Sequence, residues 1–233
     1  MTMFTPTEIE CLNLEFERES PKALLRWAVN MFGDSLAIVT SFQPTGMIIL
    51  NLLDELKARP TVFTIDTGLL FPETYAVMDE AEKRFNLNLV RVQPKLSVAH
   101  QAQRYGEKLW QIDTEQCCQI RKIAPLDEAL KGYSAWVTGL RRDQPGRANT
   151  PLIQWDKKHQ MIKLSPLAQW DEATVWAYIN GYELPYNALH DQGYASIGCR
   201  PETCTQASAV GGDSRSGRWV NTGKTECGIH LHS

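Results

Sequence analysis

The chain has 233 residues, 43% hydrophobic and 22% charged, with a formal net charge of -3. That composition supports one sizeable globular core and excludes the strongly basic field that recruits nucleic acid or an anionic membrane surface. No run approaches the roughly 18 apolar residues of a membrane span. The stretch Met1 to Glu10 carries acids rather than a basic-then-apolar leader, so a cytoplasmic protein is expected.

Residues 8–33 show helical periodicity (Ile9, Leu12, Phe16, then Leu24, Trp27, Ala28, Met31) broken at Ser20-Pro21, which predicts two amphipathic helices. Leu36 to Thr40 is a short apolar run with β-branched residues and reads as a buried parallel strand. The turn Ser41 to Gly46 follows, then a helix from Met47 to Leu56. Thr61 to Ile65 is a second buried strand ending at Asp66-Thr67-Gly68, and Phe71-Pro72-Glu73 opens a helix to about Phe85. Leu89 to Val92 and Trp136 to Leu140 read as a third and a fourth strand. A helix is expected from Ile120 to Leu130, and Met161 to Leu164 precedes a helix capped by Asp171 and running through Tyr178. Strands alternating with helices predict an α/β fold with a doubly wound, mostly parallel sheet, its ligand at the carboxyl ends of the strands. Apolar periodicity stops after about residue 205, which predicts one α/β domain over 1–205 and a mobile tail over 206–233.

In a parallel sheet the loops after the strands gather on one edge. The loops 41–46, 66–75 and 139–150 bring Ser41, Asp66, Thr67 and the arginines 141, 142 and 147 together, an arrangement suited to a phosphate or sulfate group. A solvated charged loop is the plainer alternative.

Six cysteines in a reducing compartment read as ligands or catalysts rather than as a disulfide framework. Cys117-Cys118, beside Arg121-Lys122, together with Cys199 and Cys204 supply four thiolates, enough for a tetrahedral zinc or an iron–sulfur cluster. Cys11 has no assigned role. Cys227 lies in the tail between Glu226 and Gly228, with Arg215, Arg218, Lys224 and His230 near it in sequence. Cations of that kind lower a thiol's pKa and make a nucleophile, whereas a lone tail cysteine is otherwise a bland free thiol.

Cys117-Cys118-x-x-Arg121-Lys122, Thr138-Gly139-Leu140-Arg141-Arg142-Asp143-Gln144, Leu184-Pro185-Tyr186-Asn187, Gly193-Tyr194-x-Ser196-Ile197-Gly198-Cys199 and Glu226-Cys227-Gly228-Ile229-His230 resemble the assimilatory adenylyl-sulfate (APS) and phosphoadenylyl-sulfate (PAPS) reductases. Asp66-Thr67-Gly68 and Phe71-Pro72-Glu73-Thr74-Tyr75 fit the same family. The resemblance implies a fold of the adenine-nucleotide α-hydrolase type and, from the paired cysteines, the branch that carries a [4Fe–4S] cluster on Cys117, Cys118, Cys199 and Cys204 and mostly uses APS. It implies an adenylyl group held by Ser41, Phe42, Asp66, Thr67 and Gly139, and a sulfate met by Lys122, Arg147, Arg215, Arg218 and His230. Cys227 would attack the sulfate sulfur, with Lys122 and His230 assisting. AMP would leave, and a thioredoxin-type dithiol would release sulfite from the S-sulfocysteine. A homo-oligomer is compatible with this pattern. A PAPS or dual-specificity reductase, and a non-catalytic metal or redox sensor that uses the four cysteines on the same fold, are the competing readings.

Two departures stand out. The usual C-x-x-C is Cys199-x-x-x-x-Cys204 here, which makes Cys204 the least regular ligand. The turn Ser41-Phe42-Gln43-Pro44 replaces the family's glycine-type turn, and the Ser-Gly-Gly-x-Asp-Ser loop of ATP pyrophosphatases is absent, which argues against ATP consumption.

Overall fold

The structure, a computed structural model, describes residues 4–200, 204–207, 217–219 and 228–230. Helices α1 (Pro6–Phe16) and α2 (Pro21–Phe32) lead into β1 (Leu36–Val39), α3 (Pro44–Glu55), β2 (Thr61–Ile65), α4 (Pro72–Phe85) and β3 (Asn88–Val92). Three short helices follow, α5 (Val98–Tyr105), α6 (Leu109–Ile112) and α7 (Thr114–Cys118), then a π turn (Gln119–Ile123) and α8 (Ala124–Ala129). Strand β4 (Ala135–Val137), the hairpin β5 (Ile153–Asp156) and β6 (Met161–Leu164), and α9 (Glu172–Gly181) complete the frame.

Local chemistry sets the helix starts. Thr5 and Glu8 form a capping box on α1, and Ser20 and Asp171 cap α2 and α9 through their side chains. Proline in the first turn of α1, α2, α3 and α4 pre-sets φ where no backbone donor is needed.

The strands run in the order β3-β2-β1-β4-β6-β5, parallel throughout except for the antiparallel β5–β6 pair. The sheet is therefore doubly wound, and the order reverses between β1 and β4. Period-2 alternation divides its faces. Leu36, Ile38, Val62, Ala135, Val137 and Ile162 join α1–α4 and α9 in the larger core, while Ala37, Phe63, Trp136 and Met161 face Leu126 and Leu130 of the α8 segment. Helix α3 is buried on every side from Pro44 to Leu53, because α2, α4 and α9 cover what the sheet leaves open. Truncating Ile48 or Leu50 there would cost about 2–5 kcal/mol.

Three local expectations are corrected. Helix α3 begins at Pro44 rather than Met47, since Pro44 fits the first helical turn. The strand expected over 136–140 ends at Val137, where Thr138 turns its N–H to Leu164. The regular helix expected from Ile120 begins instead as a π turn. Helix α5 and the edge strand β5 are additions that the sequence reading does not contain. Among the described residues, no helix is long and apolar enough to cross a membrane.

Candidate active site

A doubly wound sheet opens a crevice beyond the strand ends where its order reverses. A cleft of ≈ 280 Å³ lies there, between the ends of β1 and β4 and the first turn of α3. Two glycines let these parts meet. A β-carbon on Gly46 would collide with the Thr40 hydroxyl, and one on Gly139 with the Thr45 side chain. The first turn of α3 therefore closes against both strand ends, and a helix N-terminus so placed favours an anionic group.

The turn between β1 and α3 is tightened by Phe42, whose N–H donates to Thr40 Oγ1 at 3.0 Å and whose φ is 55°. Its ring is fully buried in the larger core, which holds a left-handed conformation that phenylalanine seldom adopts. Opposite, the 193–200 segment is tied down by Ile197 N–H to Gln43 Oε1 at 3.2 Å and by Arg200 N–H to the Leu69 carbonyl at 2.8 Å.

Of the residues singled out in the sequence, Ser41, Thr67, Lys122, Gly139, Arg218 and His230 line this cleft. Arg147 lines a second cavity of ≈ 450 Å³, which shares Leu140 and His230 with the first and has Lys163 in its wall. Phe42 and Asp66 line neither cavity. Asp66 instead accepts from Tyr75 Oη at 2.6 Å, Gly68 N–H at 3.0 Å and Gln93 at 3.2 Å. Burial works against its charge, but these bonds hold its carboxyl below the usual range. Cys227 and Arg215 lie outside the described residues.

The arginine loop separates into different duties. Arg141 reaches the cleft wall but is held by Asp143 in a bidentate pair at 2.9 Å. Arg142 is tied to Glu17 at 2.6 Å and to the Thr150 carbonyl at 2.9 Å, so it braces α1 rather than an anion.

Cys117, Cys118, Cys199 and Cys204 are all buried and in no disulfide, whereas Cys11 is exposed. The π turn after Cys118 separates the neighbouring cations: Arg121 is buried under the loop after β2, and Lys122 faces the cleft. Burial opposes the charge on Lys122, but Cys199, Cys204 and Cys118 raise its pKa above the ordinary value. Burial first, and then Cys118, push the Cys117 thiol up. Cys199 and Cys204 act as a pair. A hydrogen bond between them lowers Cys204 and raises Cys199, with Lys122 and Arg218 adding to the lowering of Cys204. Thr67 Oγ1 lies 3.5 Å from Cys199 Sγ, and Arg218 Nη2 lies 3.9 Å from Cys204 Sγ. Among the described residues, no group of three or more His, Cys, Asp or Glu side chains converges at metal-holding distance.

Sequence reasoning missed Gln43, Thr45, Trp176 and His190, which also line the cleft. His190 sits edge-on to Trp176 at 5.2 Å, and burial lowers its pKa, so it presents a neutral imidazole at neutral pH. Its signal lies in the stretch after Leu184-Pro185-Tyr186-Asn187, where Asn187 caps the short turn carrying His190.

Residues 35–206 match the family model of the phosphoadenosine phosphosulfate reductase domain. The adenosine 5'-phosphosulfate reductase of Salinibacter ruber is 44% identical over 229 residues, covering 97% of this chain and 90% of its own. The phosphoadenosine 5'-phosphosulfate reductase of Gloeobacter violaceus is 46% identical over 226 residues, covering 96% and 94%. Among solved structures, the phosphate complex of phosphoadenylyl-sulfate reductase from Candida auris is similar at a TM-score of 0.77 and 34% identity, covering 84% of this chain and 96% of that one.

Proposed function

Because this chain belongs to the phosphoadenosine phosphosulfate reductase domain family, we propose that it reduces adenylyl sulfate to sulfite and AMP in assimilatory sulfate reduction, in the cytoplasm. The observation that carries this reading is the cleft at the β1/β4 reversal, with Lys122, Arg218 and His230 on its wall and Gly228, the residue after Cys227, against Ile123.

In this reading Ser41, Thr67 and Gly139 border the adenylyl group, with Phe42 and Asp66 fixing their loops from behind. Lys122, Arg147, Arg215, Arg218 and His230 neutralise the sulfate. A thiolate cannot approach an anionic sulfate without such neutralisation. The Cys227 thiolate attacks the sulfate sulfur, the bond from sulfur to the phosphate oxygen breaks, and AMP leaves with that electron pair. A thioredoxin-type dithiol then attacks Cys227 Sγ, expels sulfite, and resolves the mixed disulfide with its second thiol. The tail over 206–233 would close for the first step and open for the second.

The four buried thiols fit a [4Fe–4S] cluster in donor chemistry: all are cysteine sulfurs, and the cations Arg121, Lys122 and Arg218 lie among them. Cys117, Cys118, Cys199 and Cys204 would hold it. When bound, it would supply a fixed anionic centre facing Lys122. Iron analysis of protein purified without oxygen tests this assignment, and full iron retention in Cys204→Ser would remove Cys204 from the ligand set.

The names of the Gloeobacter and Candida relatives favour PAPS as a second substrate reading. Comparing kcat/KM for the two substrates with one reductant decides between them. The central experiment mixes enzyme with APS and no reductant. About one AMP per active site should appear and then stop, with one SO3 added on Cys227. A burst that survives in Cys227→Ser overturns the mechanism.

A further inference from the structure

Trp136 stands in the middle of β4, fully buried, on the face that meets α8 and Ile229. Its ring carries His230, a residue of the proposed site, in a stacked arrangement with centroids 5.7 Å apart and planes 9° from parallel. Lys163 Nζ, itself buried, lies 5.0 Å from the same ring. The indole borders neither cavity, yet it contacts a residue that borders both.

The indole cannot turn freely. Its Nε1–H donates to Asp156 Oδ2 at 2.9 Å, and the same carboxylate oxygen lies 2.7 Å from His159 Nδ1. Asp156 Oδ1 accepts the N–H groups of Lys158 and His159 at 3.0 and 3.1 Å. The far nitrogen of His159 is 3.0 Å from Asp127 Oδ1, which also accepts from Lys158 Nζ at 2.6 Å. Two carboxylates, one lysine and one imidazole thus form a closed chain from α8 through the β5–β6 turn to the indole. Such a chain is satisfied in a single arrangement, and breaking one member leaves buried polar groups without partners. It is more apparatus than a filler tryptophan requires.

We propose that Trp136 is a positioning residue for the reaction: the Asp156–His159–Asp127 chain fixes the indole plane, and the plane fixes where His230 stands between the nucleotide cleft and the second cavity. This rests on the sulfate-reducing reading above. The gain is orientational. A cation that must meet a developing charge loses most of its value when displaced by an ångström. Stacking on an aromatic plane restrains an imidazole without consuming the hydrogen bonds it needs for substrate.

Three measurements on the full chain test this. Proton NMR should show the His230 ring resonances shifted upfield by the indole ring current in the unliganded wild type, assigned by their loss in His230→Asn. Resonances at ordinary positions would overturn the proposal whatever the enzyme does. Trp136→Leu should erase the shift and lower kcat by about tenfold or more, while Kd for AMP, which lacks the sulfate that His230 meets, stays within about twofold. A folded Trp136→Leu with unchanged kcat overturns it. Should Trp136→Leu fail to fold, Trp136→Phe keeps a ring but loses the bond to Asp156. It should fall between wild type and zero in both shift and kcat, and unchanged values in both count against the proposal. If the wild type binds AMP but does not turn over APS, the sulfate-reducing reading fails while the NMR result still judges the stack.

Discussion

Arg121 donates through Nε to the main-chain carbonyl of Thr67 at 2.6 Å, and so couples the helix of paired cysteines to the loop after β2. The same guanidinium reaches Gln101 Oε1 at 3.1 Å and the Leu96 carbonyl at 3.3 Å, and a β-carbon on Gly68 would meet it at 3.3 Å. One planar fork spans three segments, which a lysine cannot do. Arg121→Lys should strand buried carbonyls and cost about 3 kcal/mol, lowering the melting temperature by roughly 10 °C. Differential scanning calorimetry checks it. A shift near zero would mean that the three segments hold together without the fork.

The contact of Gly46 with Thr40 gives a second test. A methyl group on Gly46 meets the Thr40 hydroxyl but leaves the rest of the Thr40 side chain at 3.3 Å. Gly46→Ala alone should destabilise by about 1–3 kcal/mol through overpacking. Thr40→Ala alone loses the hydroxyl that accepts the Phe42 N–H, a cost of about 1 kcal/mol. The double variant should be more stable than the sum of the two losses, because the clash disappears with the hydroxyl. Urea unfolding of the four proteins completes the cycle, and strict additivity would show that helix α3 shifts away instead.

Much of this frame is legible in the residues. Leu36-Ala37-Ile38-Val39 and Thr61-Val62-Phe63-Thr64-Ile65 are apolar runs bounded by turns, and burial on both faces leaves them few alternatives to a central parallel strand. The glycine after Thr138 and the thiols beside Arg121-Lys122 also announce themselves. Other features do not, because their causes are far away in sequence. Strand β5 is Ile153-Gln154-Trp155-Asp156, too short and mixed to declare a strand until β6 pairs with it. The duty of Arg142 is decided by Glu17, 125 residues away. Phe42 looks like a ligand contact until its ring is seen in the core. The π turn at Gln119–Ile123 has no periodicity of its own and is set by what Arg121 and Lys122 must reach.

The Asp156–His159 pair predicts a pH dependence of stability. Burial disfavours the charged His159, but its bonds to Asp156 and Asp127 outweigh this and raise its pKa. Its contribution is therefore complete below about pH 6.5, the unfolded value, and lost as pH rises through the raised folded value. Burial likewise opposes the Asp156 charge, while His159 and Trp136 hold its carboxyl low. That contribution is present above about pH 3.9 and lost as pH falls through the lowered value. The difference in urea midpoint between wild type and His159→Gln should thus be larger at about pH 5.5 than at about pH 9. An equal difference at both would mean that His159 is neutral in the folded protein.

The proposed role of Arg218 predicts that losing it separates binding of the sulfate from binding of the nucleoside. Its Nη1 donates to Ser196 Oγ at 3.2 Å, its guanidinium lies 4.4 Å from the Trp219 ring centroid, and a β-carbon on Gly198 would collide with it. Residues 204–206 hold it in place through the Thr205–Arg218 bridge and the Trp219 N–H to the Cys204 carbonyl at 3.0 Å. A cation so braced at a cleft wall should act on the anionic end of the ligand. Charge-assisted hydrogen bonds contribute about 1.5–3 kcal/mol, so Arg218→Ala should weaken APS binding by about ten- to a hundredfold. AMP lacks the sulfate and should lose no more than about threefold. Arg218→Lys should recover part of the APS affinity, since the charge remains while the planar fork is lost. Calorimetric titration of both ligands into each variant, held as Cys227→Ser so that no transfer occurs, gives the comparison. Equal losses for APS and AMP would make Arg218 a structural brace between Ser196 and Thr205, and the sulfate contact would then fall to Lys122 and His230.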